Sequence, residues 1–204
     1  MKKIVLMAVV LLSSVATFAQ HATGSVSIKP EVGMTIANLT DCDGDAKIGA
    51  IAGGELEYQV SPMFGISGGL LYSMQGAKAD YTENSVTANA KMKLEYLNVP
   101  VLANVYVAPG FALKAGVQFG FLTSSKLNLN GSAAGFTADT DTDIKDNTKS
   151  VDISIPLGMS YEYDGFVLDA RYNLGATKVF DKGTFNDDAK NSVFQITLGY
   201  RFDL

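Results

Sequence analysis

Apolar and polar residues alternate along most of this chain with a period of two. Near its end, Phe194, Ile196, Leu198, Tyr200, Phe202 and Leu204 share one parity, and Gln195, Thr197, Gly199, Arg201 and Asp203 the other. That period belongs to a β-strand with one apolar and one polar face. Alternating or β-rich runs recur at roughly 25–37, 48–60, 64–76, 92–107, 111–127, 149–163, 165–178 and 190–203, which predicts eight strands. In the fifth, Phe111, Leu113, Ala115, Val117, Phe119 and Phe121 oppose Ala112, Lys114, Gly116, Gln118 and Gly120. The run "MKLEYLNVPVLANVYV" carries apolar residues on both parities, so its faces stay unassigned. Pro100 and Pro156 each remove a ladder hydrogen bond, and a bulge is expected near each.

The connections are of two kinds. "SPMF", "APGF" and "YDGF" are tight turns joining strands two to three, four to five and six to seven. The others are long and polar: "NLTDCDGDAK", "GAKADYTENSVTANAK", "NLNGSAAGFTADTDTDIKDNTK" and "VFDKGTFNDDAK". Short and long alternate, so all tight turns lie at one end of an up-and-down sheet. Strands of about ten alternating residues, with short turns at one end and long loops at the other, are the pattern of a bacterial outer-membrane barrel. An apolar last strand with a bare edge is an aggregation hazard in water. In hydrocarbon every backbone group must be bonded internally, so the last strand is expected to close on the first, "SVSIKPEVGMTIANL". The fold class expected is therefore all-β: an eight-stranded antiparallel up-and-down transmembrane β-barrel.

Aromatic residues add a second line. Tyr58, Phe64, Phe111, Tyr161, Tyr163, Phe166, Tyr200 and Phe202 all fall near a tight turn or the C-terminus, on the apolar parity. Together they are expected to form a girdle at the periplasmic rim, where such side chains meet the membrane–water interface. A secreted or periplasmic lipocalin-like barrel, with its apolar face inward around a small apolar ligand, shares the period. The aromatic rim and the scarcity of Lys and Glu on the opposite face favour lipid outside.

At 204 residues, with only 18% charged residues and 20 glycines, one ordered domain is expected. "MKK", "IVLMAVVLL" and "ATFA" read as the three regions of a secretory signal peptide, residues 1–19, cleaved after Ala19 to leave a barrel domain over 20–204. Loss of Lys2 and Lys3 leaves 14 basic against 21 acidic residues, a charge of −7, which excludes a nucleic-acid binder. The single cysteine, Cys42, forms no internal disulfide. No further segment has eighteen consecutive apolar residues, so a helical membrane protein is excluded.

"LEYLNVPVLANVYV", followed by "FALKAGVQFGFL" and preceded by "GGLLYSMQGAK", resembles the middle of the PorT-like outer-membrane β-barrel family. The likeness covers essentially the whole mature chain. It implies an eight-stranded barrel in the outer membrane of a Gram-negative bacterium, and no particular activity.

On the inward parity lie Glu31, Glu55, Glu57, Asp152, Glu162, Asp169 and Asp203, with Lys29, Lys114, Arg171 and Arg201. An eight-stranded barrel is only wide enough for side chains to fill, and buried charges persist when paired. A plug of salt bridges is expected there, not a conducting or binding lumen. No enzyme activity is expected: the one histidine, His21, stands ahead of the first strand and reads as part of a mobile terminus. The acidic runs "DCDGD" (Asp41, Asp43, Asp45) and "DTDTD" (Asp139, Asp141, Asp143) lack the distal Glu of a calcium loop and read as solvated loops. No cofactor or metal is expected. The expected partners are outer-membrane lipid, lipopolysaccharide and an extracellular or envelope protein met through the loops. The barrel itself is expected to be a monomer.

Overall fold

The computed structural model describes residues 21–40, 45–83, 86–133, 136–144, 148–180 and 189–204. The expected signal peptide, Asp41, Cys42 and Asp43 lie outside them. Among the described residues ten strands follow in order: β1 (Val26–Leu39), β2 (Asp45–Ser61), β3 (Phe64–Glu83), β4 (Val86–Ala108), β5 (Phe111–Ala133), β6 (Phe136–Asp143), β7 (Val151–Tyr163), β8 (Phe166–Gly175), β9 (Asn191–Tyr200) and β10 (Phe202–Asp203).

Each strand pairs antiparallel with its neighbour, β1 to β5 and then β7 to β9. β9 returns to β1 from Glu31↔Gly199 to Leu39↔Asn191, and β10 continues the same register through Ile28↔Phe202. β9 and β10 are thus one wall strand interrupted at Arg201. With β6 set aside on the outer part of β5, the sheet is a closed eight-stranded barrel. Closure satisfies the edge that the last strand would otherwise expose.

Alternation decides which face each side chain takes. On β9, Gln195 and Thr197 are buried, while Phe194, Ile196, Leu198 and Tyr200 stand outward. The same outward band runs round the wall through Val32, Leu56, Leu70, Val101, Val117, Leu157 and Leu168. The polar face is therefore inside and the apolar face outside, the reverse of a water-soluble barrel.

The three tight turns leave two residues between paired strand ends: Ser61↔Phe64, Ala108↔Phe111 and Tyr163↔Phe166. Asp164 and Gly165 both take positive φ, 50° and 79°. Two left-handed residues in a row twist the chain in the sense that antiparallel strands need, which is why Asp-Gly serves there.

Several expectations are corrected. The long connections after β3 and β5 are largely strand: the β3–β4 hairpin runs to Glu83↔Val86, and "DTDTD" belongs to β6, not to a loop. Stretches rich in small and polar residues carry a weak period-two signal, so these extensions were invisible to alternation. No bulge sits at the prolines either. Around Pro100 the β3–β4 ladder runs from Gly68↔Val101 to Leu71↔Asn98 in one register, and around Pro156 β5–β7 runs from Ala115↔Leu157 to Gln118↔Ser154 likewise. Each proline is still paired on its other side, with Gln118 or Asn173, and that ladder holds the register. The register shifts lie elsewhere, between Ala46 and Ile51, beside two of the tight turns, and where Glu95↔Ser124 gives way to Tyr96↔Leu122. The unassigned faces of β4 resolve with Leu94, Tyr96, Asn98, Leu102, Asn104 and Tyr106 inward.

One inward glycine is required by close approach. A methyl at Gly158 would lie 2.5 Å from the Ala170 carbonyl oxygen and 2.7 Å from Arg171 Cγ. Because one of these atoms is backbone, the wall itself must shift. Gly158→Ala is expected to cost about 1–3 kcal/mol, as overpacking does in a filled interior. The urea midpoint of the barrel in detergent checks it; an unchanged midpoint would mean that the interior is looser than described.

Candidate functional site

The barrel interior gathers a dense set of buried ionisable side chains. β1 contributes Lys29 and Glu31, β2 Glu55, β5 Lys114, and β8 Asp169 and Arg171, all buried. Period two brings Lys29 and Glu31, and Asp169 and Arg171, to the inner face two residues apart. Lys29 Nζ lies 3.0 Å from Glu31 Oε2, 3.0 Å from Glu55 Oε2 and 3.6 Å from Asp169 Oδ2. Lys114 Nζ donates to Asp169 Oδ2 at 2.6 Å. Arg171 grips Asp169 with two donors, Nε to Oδ1 at 2.6 Å and Nη2 to Oδ2 at 2.9 Å, and its Nη1 donates to Glu55 Oε1. Thr197 Oγ1 donates to Glu31 Oε2 at 2.7 Å. Three cations thus face three carboxylates across the barrel. Taking six charges out of water costs several kcal/mol each, and only a balanced, densely bonded set offsets that.

Toward the tight-turn end a second cluster closes the barrel. Arg201 Nη1 lies 3.5 Å from Glu57 Oε1 and 3.9 Å from Glu162 Oε2, and its Nε donates to the exposed Asp203 at 3.1 Å. Tyr106 donates to Glu57, and Asn104 Nδ2 donates to Glu57 Oε2 at 2.9 Å. His21 is not free, as expected for a mobile terminus, but packs here. Its Nε2 is 3.3 Å from Glu162 and its ring meets Tyr106 edge-on at 5.4 Å between centroids. Backbone bonds Gly24 N to Gln59 O and Gln59 N to Ser25 O tie its segment down. Between the two clusters a cavity of ≈ 20 Å³ remains, room for about one water.

Of the eleven charged residues expected to point inward, Lys29, Glu31, Glu55, Lys114, Asp169 and Arg171 meet in the central cluster, whereas Asp203 is exposed at the open rim beyond Arg201. Glu57, Glu162 and Arg201 meet in the lower one. Asp152 joins neither. Its carboxylate accepts hydrogen bonds from Thr177 Oγ1 at 2.8 Å and Asn191 Nδ2 at 3.1 Å, and among the described residues it has no ion-pair partner. It lies at the hairpin end, beyond the reach of the cations lower down.

A further layer had no period to reveal it. Leu39, Leu94, Tyr96, Leu122, Val179, Phe180 and Ala189 form an apolar cluster that fills the barrel's hairpin end. Val179 and Phe180 come from the connection after β8, and Phe180 bridges to Thr148. The adjacent apolar pair Val179–Phe180 in the largely polar "TKVFDKGTFNDDAK" was the available signal.

The eight rim aromatics all lie on the outer face. Phe111 is paired with Tyr161, Tyr163 with Phe166, and Phe166 with Tyr200. Phe166 and Tyr200 stack edge-on at 5.0 Å, and Tyr200 and Phe202 are tilted at 4.8 Å.

A family model described as "Outer membrane protein beta-barrel domain" matches residues 18–181. The chain belongs to that family. With the closed sheet and its outward apolar band, it is an outer-membrane β-barrel. The crystal structure of Ail, the attachment invasion locus protein of Yersinia pestis, is 16% identical, with 89% of this chain and 100% of that one covered and a TM-score of 0.47. Neisserial surface protein A is 12% identical over 88% and 97%, with a TM-score of 0.45. The N-terminal β-barrel domain of Pseudomonas aeruginosa OprF is 14% identical over 89% and 100%, with a TM-score of 0.36. At such values the likeness says nothing of ligand or partner. No curated protein matches the chain in sequence.

Proposed function

We propose that this chain is a non-enzymatic structural or surface-interaction barrel, sealed to ions, that presents its hairpins outside the cell. The observation that carries this reading is the balanced set of three cations and three carboxylates filling the middle of the barrel, with an apolar cluster closing the hairpin end. An interior so filled leaves no water column for a channel. Its polarity also denies an apolar ligand the pocket that a lipocalin-like carrier needs, while the apolar side chains stand outside.

The likeness of residues 94–107 and 111–122 to PorT-like barrels supports placing the chain in that branch, without carrying over a role in secretion. Export by the signal peptide 1–19, cleaved after Ala19, follows from its three-part sequence. The rim aromatics are then the periplasmic girdle, and the long hairpins are extracellular. The β5–β6 hairpin is the first candidate for contact with an extracellular or envelope protein, because it belongs to the longest connection in the sequence; it ends level with the β3–β4 hairpin, where Val86 pairs with Ala133. The barrel acts as a monomer.

The test is electrical. Purified protein inserted into planar bilayers is expected to give no steady current over a range of voltage. Large, persistent unit currents would overturn the sealed reading.

A further inference from the structure

The cations of the barrel wall are unevenly placed. Lys29, Lys114 and Arg171 are spent inside. Every other basic residue within a strand falls on four consecutive strands at the hairpin end: Lys47 on β2, Lys78 on β3, Lys91 and Lys93 on β4, and Lys126 on β5. β7, β8 and β9 carry no outward-facing cation at all. In a chain with a net charge of −5, such a one-sided patch runs against the composition.

Register makes the patch dense. Lys93 and Lys126 are direct cross-strand partners, both exposed, and Lys91 is exposed two residues away. Directly opposed like charges destabilise a sheet, so the pairing needs a compensating anion. Protein carboxylates supply only part of it. Asp45 stands opposite Lys78 and Asp143 opposite Lys126, and Glu95 accepts a hydrogen bond from Tyr72 at 2.7 Å. Lys91, Lys93 and Lys126 are in no ion pair among the described residues. Lys47, beyond the apolar band, donates to the Gln75 carbonyl at 2.8 Å, and burial together with the nearby Lys93 ammonium lowers its pKa.

Height says what that anion is. On β4 the outward residues from Val105 up to Leu97 are apolar, and Glu95 and Lys93 follow. From Val105 to Glu95 is about ten residues, which at a tilt near 40° rises on the order of 25 Å, the height of the lipid-facing band. Lys93 and Lys126 therefore stand where hydrocarbon gives way to headgroups. We propose that Lys91, Lys93 and Lys126, flanked by Lys47, form a binding site for the phosphate groups of a phosphorylated glycolipid in the outer leaflet. This rests on the orientation proposed above, with hairpins outward. Ammonium groups on a wall that already holds the acyl chains bind such a lipid by both of its ends.

Wild type and the Lys93→Gln/Lys126→Gln variant are reconstituted in phosphatidylcholine vesicles with and without lipid A. A Lys178→Gln/Lys190→Gln variant serves as the charge-matched control. The readout is the temperature at which the folded band is lost on an unboiled gel. Lipid A is expected to raise it by about 5 °C for wild type and control, as a ligand bound only to the folded state does, and by less than half of that for the patch variant. Lipid A stripped of its phosphates is expected to have no such effect. An equal rise in the patch variant, an equal rise with dephosphorylated lipid, or the same rise with inorganic phosphate alone would each overturn the site. A folded, heat-shifting band in every sample keeps the barrel reading intact even if the lipid site fails.

Discussion

Replacing Arg171 by alanine is expected to destabilise the barrel by about 3–5 kcal/mol, the scale for removing one partner of a buried ion pair, and to open no pore. Arg171 supplies two of the three donors to Asp169, beside Lys114, and one to Glu55. Without it Glu31, Glu55 and Asp169 face only Lys29 and Lys114, so one carboxylate stays buried without a counter-charge. Arg171→Lys keeps the charge but not the fork, and should fall between the two. The chain contains no tryptophan, so the urea midpoint is best read from the folded band on a gel. A loss below about 1 kcal/mol would show that the central cluster is wet and screened, in the range of exposed pairs. Conductance gained by the variant would show that Arg171 blocks a path.

The second large effect lies on the opposite face and depends on depth. Leu157 points outward about six residues above the rim residue Tyr163, on the order of 15 Å and close to the middle of the band. Leu157→Arg should cost about 2–4 kcal/mol in lipid vesicles. Leu168 pairs with the rim residue Tyr161, so Leu168→Arg lies near the interface and should cost only about 0–1 kcal/mol. Equal costs at the two positions, or none at Leu157, would contradict lipid on the outer face.

Much of this was legible in sequence because period two leaves little freedom. Once Phe194, Ile196 and Leu198 face one way, Gln195 and Thr197 must face the other, and the alternation of tight turns with long loops orders the strands. The inward charges followed from parity alone. Their partners did not, because which cation meets which carboxylate depends on the stagger of the strands around the barrel, and no single strand encodes that. β4 was unreadable for a different reason. Its interior positions change character with height, from Asn104 and Tyr106 in the polar lower part to Leu94 and Tyr96 within the apolar cap, so both parities look apolar. The cap is completed by Val179 and Phe180, two residues in a connection with no period.

The central claim is a closed barrel with lipid outside and paired charge inside. Fractionation of cells expressing the chain, followed by gels of boiled and unboiled outer membrane, tests it most directly. Recovery in the outer membrane with a band that shifts on boiling is the expected result. A soluble protein whose mobility is the same boiled or unboiled would contradict it.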